Sequence, residues 1–208
     1  RRAGGRSGPG HWAITAAVAA MALASPLTHA VSVDAGDYDA VPVGTRLGLL
    51  YYQYSSGDTL YAGGHRVADE ARVRAQVGVL RAVKYVDIGG FTVAPQFLLP
   101  FGSIQTAGDL GGASVRNGVG DLILASTVFL YKDEQRRVLG VTPWLWLPTG
   151  QYDRHRSLNP FGENRWKFAL QAAGVMPLGT FFTLDLVRDV QFYGDNRDFG
   201  PGSQTLRQ

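Results

Sequence analysis

Hydrophobic and polar positions along this chain alternate with a period of two. From Ala71 to Tyr85 the odd positions read Ala71, Val73, Ala75, Val77, Val79, Arg81, Val83 and Tyr85. The even ones read Arg72, Arg74, Gln76, Gly78, Leu80, Ala82 and Lys84. Period two marks a strand with one apolar and one polar face, and this run is far longer than the usual ~5–6 residues. Six further segments read the same way. Together they predict strands at Val43–Tyr54, Ala71–Tyr85, Phe91–Phe101, Val119–Tyr131, Val138–Pro148, Trp166–Met176 and Thr180–Asp189. Pro95 and Pro143 fall inside two of them and each removes a ladder donor, which a bulge would absorb.

The connections sort by length. Ser55–Glu70, Gly102–Gly118, Thr149–Arg165 and Val190–Gln208 are long, whereas Val86–Gly90, Lys132–Arg137 and Pro177–Gly179 are short, in strict alternation. An antiparallel up-and-down transmembrane β-barrel produces this order, with short turns on the periplasmic side and longer loops outside. A soluble sandwich, the rival all-β fold, has no reason to sort its loops by parity. Aromatic residues gather near strand ends, as in Tyr51, Tyr52 and Tyr54, Trp144 and Trp146, and Phe192 and Tyr193, which suits the two membrane–water interfaces. Lipid offers no hydrogen bonds, so every strand edge must be paired. Seven strands is an odd number and no strand closes the chain on a terminal aromatic. The expectation is a C-terminally truncated fragment whose partner strands, odd in number, lie beyond Gln208.

Composition changes this picture in two places. The 208 residues include no Cys, which excludes a disulfide framework, a CxxC zinc site and a thiol nucleophile. The net charge of +3 suggests a nucleic-acid partner until its location is considered. Arg1, Arg2 and Arg6 precede the apolar run Ala13–Ala24, which ends in small residues up to Ala30, the order of a secretory signal peptide. The apolar run is too short to span a bilayer core of about 30 Å as a helix. Cleavage is placed after Ala30. Without the three arginines, 17 basic residues face 17 acidic ones, and the nucleic-acid reading falls away. The expected organisation is a signal peptide at 1–30, a periplasmic lead at 31–42 and a partial outer-membrane barrel at 43–208. Asp34, Asp37 and Asp39 make the lead acidic. It is read as solvated, in preference to an N-terminal plug, and the twelve-residue calcium loop is absent.

If the apolar positions face lipid, Arg46, Arg72, Arg74, Gln76, Asp121, Lys167, Gln171 and Asp185 point into the lumen, because a charge facing mid-membrane costs about 2–4 kcal/mol. These residues line a hydrated path, or pair across the barrel and plug it, leaving a lateral route for apolar solutes, or simply satisfy one another. Arg81 and Arg188 fall on the apolar face and would have to snorkel from an interface. Past the signal, His65 and His155 stand in loops without further ligands at metal spacing. His155 near Ser157 hints at a lipid hydrolase, but no serine elbow or third group accompanies them. No GxxxxGK[ST] phosphate loop occurs. No enzyme, metal or cofactor is expected.

The segments VDAGDYDAVPVGTRLGLLYYQY (Val33–Tyr54), LLPFG (Leu98–Gly102), GVGDLILAS (Gly118–Ser126), LPTGQYD (Leu147–Asp153) and NPFGENRWKF (Asn159–Phe168) resemble the meta-pathway phenol degradation family of outer-membrane β-barrel proteins. Each motif is a weak Gly/Pro turn, and their order and spacing carry the resemblance from Val33 to about Tyr193. It implies a barrel in the outer membrane of a Gram-negative bacterium, contacting its lipids, that takes up small hydrophobic or aromatic compounds. The competing functions are a non-conducting structural or interaction barrel and a barrel lipid hydrolase.

Overall fold

The computed structural model describes residues 37–39, 41–62, 65–68, 71–108, 114–156, 159–199 and 202–204. The expected signal peptide and the lead up to residue 36 lie outside the described residues. Thirteen strands follow in order: β1 (Arg46–Gly57), β2 (Leu60–Ala62), β3 (His65–Ala68), β4 (Ala71–Lys84), β5 (Val86–Ile88), β6 (Phe91–Gly108), β7 (Val115–Val119), β8 (Ile123–Lys132), β9 (Val138–Trp146), β10 (Lys167–Leu178), β11 (Phe182–Tyr193), β12 (Asn196–Phe199) and β13 (Gly202–Gln204).

Seven of these form one antiparallel sheet in the order β1-β4-β6-β8-β9-β10-β11, each beside its predecessor in the chain. They correspond to the seven predicted segments, and the sheet curls into half a barrel. At one end the connections are tight. Ile88 pairs with Phe91 across Gly89 and Gly90, both at positive φ (62° and 87°), the conformation that a two-residue hairpin requires and glycine adopts without steric cost. Asp133–Arg137 closes the next hairpin, where the Asp133 carboxylate accepts from the Arg137 backbone N–H at 2.9 Å. The third turn lies between Leu178 and Phe182, which pair with each other. At the other end the long connections carry structure of their own: the β2–β3 hairpin, β7 laid along β6, a folded loop between β9 and β10, and the β12–β13 hairpin.

The two prolines need no bulge at their own positions. Pro95 pairs with Ser126 of β8 in regular register. On its other side the ladder is interrupted between β4 and β5, where Tyr85 exchanges backbone hydrogen bonds with Gly44 and Thr45 instead. The irregularities fall elsewhere, between Gly102 and Ile104 of β6 and between Phe129 and Tyr131 of β8.

Register assigns the faces, since residues directly opposite in an antiparallel ladder share one side. One face carries Leu47, Leu49, Val79, Arg81, Val83, Gln96, Leu98, Thr127, Thr142, Gln171 and Asp189. Many of these are buried, and so are Ala94, Ala125, Phe129, Trp144 and Ala169 on the same side. The opposite face carries Leu50, Leu80, Phe97, Leu124, Phe168, Leu170, Leu186 and Phe192, all exposed. An exposed apolar face over seven strands is unsuited to water and suited to acyl chains. The buried face is therefore the concave one.

Candidate functional site: the concave face and its N-terminal insert

The concave face is built from two kinds of wall. Across β1, β4 and β6 it is mostly aliphatic between Leu47 and Pro100, with Leu47 opposite Val83, Val79 opposite Pro100 and Tyr51, and Leu49 and Leu98 flanking Arg81. Arg81 interrupts this wall and is fully engaged. Its Nε donates to Gln96 Oε1 at 2.8 Å, and its Nη1 donates to Asp37 Oδ1 at 2.7 Å and to the Tyr51 hydroxyl at 3.2 Å. Across β8, β9 and β10 a polar row lies between the Ala125–Trp144–Ala169 row and the Phe129–Gly140–Ala173 row: Thr127 and Thr142 hydroxyls meet at 2.9 Å, and Gln171 lies opposite Thr142 in the ladder.

Residues 37–39 of the lead bridge these walls. Asp37 pairs with Arg81 on β4 while Tyr38 reaches β9 and β10. The Tyr38 hydroxyl donates to Gln171 Oε1 at 2.8 Å and lies 2.9 Å from Thr142 Oγ1. Its ring stacks over Gly140, where an added Cβ would stand 3.0 Å from Tyr38 Cδ1, so the absence of a side chain on Gly140 makes room for the insert. Tyr38 is only 5% exposed, and Gln171 and Thr142 not at all. Burial raises the Tyr38 pKa above the ordinary phenol value against the opposing hydrogen bond from Thr142. Below the insert, Val41 packs on the cluster of Val83, Tyr85, Ala94, Phe129 and Val138.

The solvated reading of the acidic lead is therefore corrected for Asp37 and Tyr38: Arg81 on one wall and the Thr142–Gln171 pair on the other draw them inside. Of the described lead residues, Asp39 stays outside, 3.4 Å from exposed Arg136. Only Tyr38, the one aromatic between the aspartates, signals this in the sequence.

The eight residues expected in the lumen divide three ways. Lys167, Gln171 and Asp185 stand on the concave side. The Lys167 ammonium donates to Glu163 Oε1 at 2.5 Å and lies 5.2 Å over the Trp146 ring, so it is neutralised where it enters the concavity. Arg46, Arg72, Arg74 and Gln76 stand on the convex side, which corrects their assignment. Arg46 lies opposite Lys84, Arg74 opposite Ser56 and Gln105, and Gln76 opposite Tyr54 and Ser103. The Val/Ala side of β4 is not the lipid side. Arg81 belongs to that side, and its partners are inside, so the valines are inside too. Arg81 thus snorkels to no interface, whereas Arg188 stands on the convex side of β11 opposite Ala172.

Asp121 takes neither position. It is buried at the long-loop end and ties the β7–β8 connection to the loop between β9 and β10. Its Oδ1 accepts from the Gly150 N–H at 2.8 Å, its Oδ2 from the Glu163 N–H at 3.0 Å, and its own N–H donates to the Phe161 carbonyl at 3.0 Å. The glycines of these loops are required by close approach. A Cβ on Gly150 would stand 2.6 Å from Asp121 N and 2.8 Å from Phe161 O, and one on Gly118 would enter the Phe161 ring. The three motifs GVGD, LPTG and NPFGE thus make one knot. His155 lies in the same loop, its backbone N–H donating to Asp153 Oδ1. Among the described residues no group of three or more His, Asp or Glu is placed to hold a metal ion.

A seven-stranded meander with an apolar convex face, tight turns at one end and knotted loops at the other is the architecture of a membrane barrel wall. The chain is similar to a solved structure described as the COG4313 outer membrane channel from Pseudomonas putida F1, at 44% identity and a TM-score of 0.74, covering 82% of this chain and 64% of that one. It thus spans slightly less than two thirds of the channel it matches. No curated protein matches it. Residues 56–207 match the family described as "Putative MetA-pathway of phenol degradation", and the chain belongs to that family.

Proposed function

We propose that the protein is an outer-membrane channel through which small hydrophobic or aromatic compounds enter a Gram-negative cell. The observation that carries this reading is the aliphatic stretch of the concave wall on β1, β4 and β6. A channel for ions or sugars is lined by polar groups in water. Here the one charge on that wall, Arg81, is already taken by Asp37, and further round Thr142, Gln171 and Lys167 are partnered by Tyr38 and Glu163. An apolar solute passing that wall replaces water with aliphatic contact and leaves Arg81 paired. The outer-membrane channel description of the similar Pseudomonas protein supports the location and the general role. Phenolic or other aromatic cargo is favoured by the family's link to phenol degradation.

Proteoliposomes test it. The protein is expected to admit phenol-sized aromatics faster than a sugar of similar mass, and Tyr38→Ala to raise the permeability of both. Equal, fast sugar entry through the unaltered protein would overturn the hydrophobic assignment. No entry of either solute, before or after Tyr38→Ala, would favour a non-conducting barrel.

A further inference from the structure

The convex face of β1, β4 and β6 is layered across the strands. Reading from the long-loop end, directly opposed residues form the rows Ser56–Arg74–Gln105, Tyr54–Gln76–Ser103, Tyr52–Gly78–Phe101, Leu50–Leu80–Leu99, Gly48–Ala82–Phe97 and Arg46–Lys84. The middle rows are apolar or carry no side chain, and Phe101 folds its ring over Gly78, where a Cβ would stand 2.5 Å from Cζ. Charge therefore appears only at the two ends. Arg74 and Lys84 are ten residues apart in one strand. At ~3.4 Å per residue and a tilt of about 40°, that separation is about 26 Å along the membrane normal, close to the ~25 Å of an outer-membrane apolar band. Arg74 thus stands where the hydrocarbon of the outer leaflet ends, with Arg72 one row further out and Arg46 and Lys84 at the opposite interface.

At this end the paired rows carry donors and no carboxylate; Asp58, two residues beyond Ser56, accepts from the Thr59 hydroxyl at 3.1 Å. Arg72 and Arg74 point the same way from alternate positions of β4, flanked by Ser56, Gln76, Ser103 and Gln105. Among the described residues neither guanidinium pairs with a carboxylate, and both side chains are exposed. Guanidinium groups bind phosphate bidentately, and do so most strongly beside low-dielectric surroundings. The groups that meet a barrel at this depth are lipid head groups. We propose that Arg72 and Arg74 form a docking site on the barrel's outside for the phosphates of an outer-leaflet phosphoglycolipid, whose acyl chains run down over Phe101, Leu80 and Leu99. The site rests on the outer-membrane placement and is independent of what the channel carries.

Binding of three probes to the purified full chain in detergent tests this: lipid A with both phosphates, the same lipid after phosphatase treatment, and inorganic phosphate. Fold is scored in every sample by gel mobility without boiling. The phosphorylated lipid is expected to bind the unaltered protein at least about tenfold more tightly than it binds R72Q/R74Q, a difference of ~1.4 kcal/mol. R46Q/K84Q is expected to bind like the unaltered protein, R72K/R74K to fall between, and the phosphate-free lipid to bind weakly throughout. Equal affinity for folded R72Q/R74Q, or for the phosphate-free lipid, overturns the proposal. Inorganic phosphate binding as tightly as the lipid replaces it with a free-anion site. A protein that shows no folded band in detergent removes the barrel placement itself, and the mobility assay separates that failure from the others.

Discussion

Tyr38 and Gln171 are 133 positions apart in the chain and joined by a hydrogen bond of 2.8 Å, phenol to amide oxygen, with both side chains buried. This contact ties a segment that precedes every described strand to β10. The curled sheet and the lead are thereby one cooperative object, since the inner polar residues are satisfied by the lead and the lead by them.

Tyr38→Phe keeps the ring over Gly140 and removes the hydroxyl. Gln171 then lacks one donor in a site closed to water, which costs about 1–3 kcal/mol. The temperature at which the folded gel band converts to the unfolded one is expected to drop, and Tyr38→Ala to drop it further through the added cavity.

Asp121→Asn replaces one carboxylate oxygen by an amide that cannot accept from Gly150 or Glu163. Losing a charge-assisted bond of this kind costs about 1.5–3 kcal/mol, and the loss is local to the knotted loops. Limited proteolysis is expected to cut between residues 147 and 165 sooner than in the unaltered protein, while the folded band keeps its mobility.

Two glycine substitutions separate packing from propensity. Gly150→Ala forces a methyl against backbone atoms of Asp121 and Phe161, which cannot swing aside, and is expected to destabilise by about 1–3 kcal/mol. Gly48→Ala, on the convex face with nothing within 4 Å, is expected to leave the melting of the folded band unchanged.

Alkali is expected to loosen the insert. Burial holds the Tyr38 phenol above its ordinary range, so the folded protein favours the neutral form. A group raised on folding contributes stability below its unfolded pKa, near 10, and that contribution is lost as pH climbs through the higher folded value. In a difference titration of phenolate absorbance, unaltered protein minus Tyr38→Phe, the Tyr38 component is expected to rise later than that of an exposed tyrosine. The acid side is governed differently at the Asp133 turn. There burial opposes ionisation, but the backbone and guanidinium of Arg137 and the Tyr131 hydroxyl outweigh it and lower the carboxyl pKa. That turn is expected to hold until the pH falls below the ordinary carboxylate range, as read by amide exchange of Arg137.

The alternation of Ala71–Tyr85 and its counterparts by itself determined how many long strands there are, that neighbours run antiparallel, and which end bears the long loops. Period and connection length are local properties, so no distant contact was needed to read them. Which side of β4 faces inward was a different matter. A strand with valine on one side and arginine on the other satisfies the same pattern in either orientation. The tertiary structure decided it through Arg81, whose partners Asp37, Tyr51 and Gln96 come from three other segments. It also decided that Asp121 ties loops together and that Tyr38 goes inside. In both cases the reason is that a buried polar group is placed by whichever distant partners complete its hydrogen bonds, and those partners are brought near only when the sheet curls.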